Sequence, residues 1–451
     1  MAERGAPPDR RAARDTLAVD RWLRAMRARG GAPAPPRRLP PAPGRPRRTI
    51  FDAGHRIDRR ADRILRREGE PPVADEAANQ AYDGFGDTYR LFWEVMGRDS
   101  IDGLGHPLLG EVHFGRGYDN AFWDGERLIF GDGDGRLFRI GAFTSSLDVI
   151  GHELTHAVIE RTIGLRYDGQ PGALNESIAD VFGALVKQYA LGQTVEQADW
   201  SIGAGILGPA LRGYALRSLS APGTAFEGDL QPAHVRDYVP TDTDNGGVHL
   251  NSGIPNRAFY LVAVALGGYA WERAGRIWYR ALVAGELPGD AGFEAFARAT
   301  VRSAAALFGP RSAEAVAVAE GWAEVGVLRR PMRAMATQTE GGEAGAGRRG
   351  SGRLWIERSG GIAGLTLRAS ISIEELTDRE RRAVRRCLAA EAGGSLRHRR
   401  RAGGAPPSPA GPDRFVYRLS LGGQEAVVGE DRVRGDLRRL LERLVGGGAP
   451  P

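Results

Sequence analysis

His152-Glu153-Leu154-Thr155-His156 decides how this chain is read. On a helix, residues four apart share a face, so His152 and His156 can aim both imidazoles at one metal ion. Glu153 stands one position on, beside such an ion rather than on it, where a base for a metal-activated water belongs. A hydrolytic zinc site needs a third ligand, which must come from another segment. Asn175-Glu176-Ser177-Ile178-Ala179-Asp180 opens the next predicted helix and offers Glu176. Asp180 lies one turn further on the same face. From there it can accept the spare N–H of a ligand histidine and fix its tautomer.

The oxyanion that develops in a hydrolysis needs donors beyond the metal. Tyr167, in the link between the two metal-bearing helices, is one candidate. His249 is another. It sits in Asp244-Asn245-Gly246-Gly247-Val248-His249-Leu250-Asn251-Ser252-Gly253, a glycine-rich turn leading into a helix, where Asp244 can orient it.

At 451 residues the chain is too long for one core, and two or three domains are expected. No run approaches the roughly 18 apolar residues of a membrane span. Neither end shows an aromatic-interleaved or helix-turn-helix pattern, so neither membrane nor nucleic acid is an expected partner. The net charge of +6 hides an acidic middle between two arginine-rich ends, which suggests that the ends dock on the middle. The N-terminus has no apolar signal core, and Cys387 is the only cysteine, so no intramolecular disulfide can form. A cytoplasmic location, or secretion by a route without a signal peptide, is therefore expected.

Residues 1–48 read as a basic extension with one short helix, Asp15 to Arg29, and a Pro/Arg-rich linker. Residues 49–157 mix short helices and strands, with a helix over Asn79 to Gly97 and a strand over Arg127 to Phe130. Residues 158–330 are mainly helical. A flexible linker follows at 331–352, then a small α+β unit at 353–446. In that unit Leu354 to Glu357, Leu365 to Ile373 and Phe415 to Leu421 read as strands. Thr377 to Ala390 and Arg432 to Val445 read as helices.

Residues from about 75 to 328 resemble the thermolysin family of zinc endopeptidases. Asn120-Ala121-Phe122-Trp123, Gly131-Asp132-Gly133-Asp134-Gly135 and the three stretches quoted above carry the resemblance. It implies an α+β, two-subdomain protease: a mixed N-terminal lobe and a mainly helical C-terminal lobe. It implies Zn2+ on His152, His156 and Glu176, with Glu153 as base. Tyr167 and His249 become transition-state donors, Asp244 orients His249, and Asp180 supports His152. Asn120 and the Ala121 backbone would hold the main chain of a peptide or protein substrate, and Arg217 a substrate carbonyl. Phe138, Val149, Ile202, Ile206 and Leu216 would line the main apolar pocket, directing the cut to the amino side of a bulky apolar residue.

The family's double calcium site is depleted: Asp148 and Asp199 match, but Lys187, Ser201 and Ala204 replace other expected positions. Calcium is therefore expected to be absent, with the Lys187 ammonium bonded to Asp148 or Asp199 in its stead. The chain is most similar to the protealysin-like subgroup, with Arg47-Arg48-Thr49-Ile50-Phe51-Asp52-Ala53 as the precursor junction. That subgroup's Pro-Pro-aromatic precursor motif is reduced here to Pro7-Pro8-Asp9. Ile356-Glu357-Arg358-Ser359-Gly360-Gly361-Ile362-Ala363-Gly364 resembles emfourin, a small inhibitor of such enzymes, which implies intramolecular docking on the protease. A substrate- or partner-binding module is the competing reading of this unit. A zinc aminopeptidase would need a Gly-x-Met-Glu-Asn motif, which the chain lacks. A dead binding site is disfavoured because every catalytic position is filled.

Overall fold

The computed structural model describes residues 44–57, 60–329, 353–362, 364, 367–398, 414–421, 424–429, 433 and 435–445. The expected helix at Asp15 to Arg29 and the whole 331–352 linker lie outside them. Among the described residues, no helix is long and apolar enough to cross a membrane.

The N-terminal lobe is a five-stranded sheet in the order β2-β1-β3-β5-β4: β1 Arg48–Asp52, β2 Arg63–Arg67, β3 Leu108–Val112, β4 Ala121–Trp123 and β5 Leu128–Phe130. β1 pairs antiparallel with β2 and parallel with β3. β1 begins at Arg48, so the last residue of the expected extension belongs to the sheet. Its guanidinium bonds Glu68 (Nε to Oε2, 2.7 Å) and lies over the Tyr82 ring. Helix α1 (Glu76–Arg90) turns Ala78, Ala81, Tyr82, Phe85 and Tyr89 inward, the three-to-four spacing of one buried face. It continues beyond Arg90 as a π-helical turn over Leu91–Val95, so the expected 79–97 helix changes form partway.

Two helices form the floor of the cleft. α2 (Leu147–Glu160) carries the HExxH stretch, and α3 (Gly169–Leu191) carries Glu176 and Asp180. α2 is buried from Asp148 to Ile159, and besides His152, Glu153 and His156 its buried polar groups are Asp148 and Thr155. The helices touch backbone to backbone at Gly151 and Gly183. A Cβ on Gly183 would stand 2.4 Å from the Asp148 carbonyl oxygen. This close approach brings Glu176 within reach of the two histidines. Beyond α3, a short hairpin pairs β6 (Ser201–Ile202) with β7 (Arg217–Ser218). Helices α4 (Asp244–Asn251), α5 (Gly253–Leu266), α6 (Arg276–Val283), α7 (Phe293–Phe308) and α8 (Ala313–Glu324) complete the helical lobe.

The C-terminal unit is an antiparallel sheet in the order β11-β10-β8-β9: β8 Arg353–Gly360, β9 Leu367–Ser372, β10 Phe415–Leu421 and β11 Gln424–Gly429. Helices α9 (Asp378–His398) and α10 (Gly435–Val445) complete it. Leu354, Ile356, Val384, Leu388, Leu419, Leu440 and Leu441 form its own core. β11 went unread in the sequence because Gln424 to Gly429 is short and follows a glycine pair.

His113, just beyond β3, bonds Asp132 (2.8 Å) through Nδ1 and Asp75, the N-cap of α1, through Nε2 (2.9 Å). The Asp132 bond and then the Asp75 bond raise its pKa to about 9 against the opposing effect of burial. A raised folded pKa stabilises the fold in full below about 6.5, and the contribution disappears as pH climbs through 9. Melting temperature should therefore fall between pH 7 and about 9.5, a slope that His113→Asn removes. An equal slope in the variant would contradict this assignment.

Candidate metal centre and substrate cleft

Helical spacing on α2 stacks His152 above His156, with the two Nε2 atoms 3.0 Å apart. Glu176 faces them from α3: Oε2 lies 3.5 Å from His152 Nε2, and Oε1 lies 3.5 Å from His156 Nε2. One ligand atom from each of the three lies within 4.8 Å of the others, and all three side chains are buried. The far ring nitrogens determine the tautomers. His156 Nδ1 donates to Asn175 Oδ1 (2.8 Å), and His152 Nδ1 lies 2.8 Å from Asp180 Oδ1. With the protons on Nδ1, both Nε2 lone pairs point at each other and at a carboxylate. Three acceptors converging in a buried site fit a cation, and two imidazoles with one carboxylate are a zinc donor set.

Asp180 does more than support His152. It accepts Arg217 Nε (2.8 Å) and Nη2 (2.7 Å) and the amide of Asn256 (2.8 Å). Burial alone would raise its pKa, but the Arg217 guanidinium and the His152 imidazole hold it well below the usual carboxylate range. Arg217, on β7, is itself buried.

Above the ligands stand the two expected donors. Tyr167 Oη donates to Glu176 Oε1 and lies 3.3 Å from His249 Nε2. His249 Nδ1 faces Asp244 Oδ1 at 2.6 Å, while its backbone N–H donates to Asp244 Oδ2 at 2.9 Å. The chain can fold back in this way because Asp244, Asn245, Gly246 and Gly247 all adopt positive φ, a run that the glycine pair makes affordable. Glu153 is buried next to His152 on the cleft floor. Phe138, Val149, Ile202, Ile206 and Leu216 are all buried within one apolar cluster. Ala121 is buried on β4, next to Asn120.

The structure thus brings His152, His156, Glu176, Asp180, Tyr167, His249, Asp244 and Arg217 together through the contacts given above. Three supports were not read from the sequence. Asn175 adjoins Glu176, so its place before a ligand was a signal. Asn256 and Gln231, whose amide holds the His249 carbonyl at 2.6 Å, meet the site only through tertiary folding.

One further residue enters the cleft, and it comes from the C-terminal unit. Ile362 is fully buried and joins the protease's apolar cluster. Its N–H donates to Asn120 Oδ1 (3.0 Å), and its carbonyl accepts from Arg217 Nη1. Around it, the Asp244 N–H donates to Ser359 Oγ (3.0 Å), Phe415 meets Tyr118 edge-on, and the Arg414 guanidinium lies over Phe122. Asp119 is pushed up to about 7, first by burial and then by Asp134, while Arg358 of the C-terminal unit acts in the opposite direction.

A buried His-His-Glu centre between two packed helices, at the base of a cleft, defines a metallopeptidase. The chain belongs to the thermolysin metallopeptidase family. It matches that family's catalytic domain over residues 60–160 and its alpha-helical domain over 163–327, and it matches Emfourin over 356–445. It is 51% identical over 300 residues to an extracellular metalloprotease of Pectobacterium carotovorum subsp. carotovorum, covering 65% of this chain and 84% of that one. It is 42% identical over 260 residues to a thermolysin of Alicyclobacillus acidocaldarius, covering 56% and 46%. The solved precursor of protealysin, a metalloproteinase from Serratia proteamaculans, superposes with a TM-score of 0.61 at 47% identity, covering 68% of this chain and 98% of that one. These relatives make it a protealysin-like member with an emfourin domain. They also correct the expectation of a cytoplasmic location: the Pectobacterium relative is named extracellular. Cysteine usage and N-terminal composition were too indirect to decide location.

Arg217→Ala would leave the Asp180 carboxylate buried without its main counter-charge. It should cost about 3–5 kcal/mol of unfolding free energy by urea titration. A loss below about 1 kcal/mol would mean that the pair does not hold the cleft floor together.

Proposed function

We propose that this chain is a zinc endopeptidase that cuts on the amino side of bulky hydrophobic residues and is held closed by its own C-terminal domain. One observation carries the reading: Ile362 of the C-terminal unit is fully buried in the protease's apolar cluster while its backbone bonds Asn120 and Arg217. His152, His156 and Glu176 would hold the zinc, which when bound would supply an activated water and a Lewis acid. The Glu153 carboxylate carries a proton from the attacking water to the leaving nitrogen. Tyr167 Oη and His249 Nε2 donate to the oxyanion, and Asp244 keeps the imidazole turned towards it. Asp180 fixes the His152 tautomer. Asn120, the Ala121 backbone and Arg217 hold the substrate main chain, and Phe138, Val149, Ile202, Ile206 and Leu216 receive its apolar side chain. Like its extracellular relative, the enzyme is read as acting outside the cell.

Glu153→Gln should lower kcat by about 10²–10⁴-fold while leaving bound zinc at one per chain. Activity within a factor of a few of the parent would rule out Glu153 as the base.

Inhibition in cis follows from the seat of Ile362. A tether holds the domain at roughly millimolar effective concentration, so even a weak fit keeps the cleft closed. Ile362→Asp would bury an unpaired carboxylate in the pocket. It should release the domain and raise kcat/KM on a short peptide by at least about 10-fold. If the C-terminal domain instead recruits substrates, peptide turnover stays flat and protein turnover falls.

Calcium is not needed in this reading. Lys187 Nζ donates to Asp148 Oδ2 (2.7 Å), Asp199 Oδ1 (2.9 Å) and the Ser201 carbonyl (2.8 Å), tying α2, α3 and β6 together. Burial alone would lower its pKa, but Asp148 and Asp199 raise it, so the ammonium stays charged. EGTA should leave activity and melting temperature unchanged. A drop of several degrees would mean that a calcium site exists elsewhere.

A further inference from the structure

The segment that enters the cleft raises a question of its own. A peptide with an isoleucine in the pocket is what this protease is proposed to cut, and the bond on the amino side of Ile362 is Gly361–Ile362. A substrate bond must present its carbonyl to the metal and to Tyr167 and His249, in a chain extended enough for the two sides to part. The Gly361 carbonyl is bonded within its own domain. It accepts the Gly364 N–H at 2.7 Å, closing a tight turn around Ile362. Gly360, Gly361 and Gly364 all have positive φ.

There is no room for a side chain at either end of this turn. A Cβ on Gly361 would stand 2.5 Å from the Phe415 ring. One on Gly364 would stand 2.3 Å from His249 Cβ, so Gly364 packs directly on the proposed oxyanion donor. On the other side, the Gly361 N–H points back to the Arg414 carbonyl (3.4 Å), which anchors the turn to β10.

Building on the proposal that the C-terminal domain closes the cleft, we propose that this domain is a substrate whose scissile carbonyl has been turned away. Ile362 takes the place of the residue on the carboxyl side of the cut, and its backbone is gripped as a substrate's would be. The 361–364 turn keeps the attacked carbonyl bonded within the domain. The glycines let the turn lie flat against His249. Hydrolysis would add water across the C–N bond, leaving a carboxylate on Gly361 and an amine on Ile362, and it requires that the turn open first. Inhibition therefore persists because the residue gripped by Asn120 and Arg217 follows a carbonyl that the turn keeps bonded within the domain. This assigns the glycines a role that packing alone does not: they separate recognition from cleavage.

The test inserts a Gly-Ser pair between Ala363 and Gly364 of the full-length chain. The insertion keeps Ile362 but prevents the 361–364 closure. Wild type and variant are incubated with zinc, and their fragments are read by mass spectrometry, alongside an acetylated linear peptide spanning residues 357–367 treated with full-length Ile362→Asp. We expect the insertion variant and the peptide to be cut between Gly361 and Ile362, while wild type stays whole at that bond over at least ten times as long. Wild type cut there as fast as the variant, a variant that stays whole, or a peptide cut only at other bonds would overturn the proposal. Failure of the underlying reading looks different: Ile362→Asp would then hydrolyse a reporter peptide no faster than wild type.

Discussion

Two imidazole nitrogens stand 3.0 Å apart with a carboxylate beside them, and the partners on their far sides leave neither nitrogen a proton to offer the other. Lone pairs so placed repel unless a cation lies among them, and in a buried site that repulsion is barely screened. The rest of the protease is arranged around this constraint. The glycine contact between α2 and α3 sets the spacing between the histidines and Glu176. Asp180 then links the metal floor to the substrate wall, because the same carboxylate that faces His152 also holds Arg217. The metal floor is thereby joined through one carboxylate to Arg217, the residue proposed to hold a substrate carbonyl.

The C-terminal domain uses this wall. Its contacts with the cleft combine one buried apolar anchor, backbone hydrogen bonds to Asn120 and Arg217, and arginines set among aromatic and acidic groups of the rim. This pattern, a fully desolvated centre within a polar border, is how a small contact area gains specificity. The unequal charge of the chain finds a local counterpart here: Arg358 and Arg414 come from the basic end, and Asp119 and Asp134 from the acidic middle. Long-range attraction of that kind speeds and orients docking more than it tightens it.

Much of the site was legible in the sequence because metal chemistry imposes spacing. HExxH places two ligands on one helix face, and the Asn175 to Asp180 stretch places a ligand and its support one turn apart. One strand of the small α+β unit, Phe415–Leu421, was also read to the residue. What escaped the sequence depends on contacts between distant segments. Asn256 and Gln231 have no local signature that separates them from other buried amides. Lys187 was expected to meet one acid, yet it meets two and a carbonyl, because β6 folds across α3. The burial of Ile362 in the protease's apolar cluster could not be read from the Gly-Gly-Ile-Ala-Gly run, since nothing in that run says which surface it faces. Arg48 was placed in the extension because it adjoins Arg47, whereas its pairing with Glu68 and Tyr82 draws it into the sheet.

The central claim is that a metal ion satisfies the converging donors of His152, His156 and Glu176. Elemental analysis of purified full-length protein, set beside His156→Ala, tests it most directly. The account predicts one zinc per chain in the parent and little or none in the variant. A parent chain without stoichiometric metal, or a variant that retains it, would contradict the account.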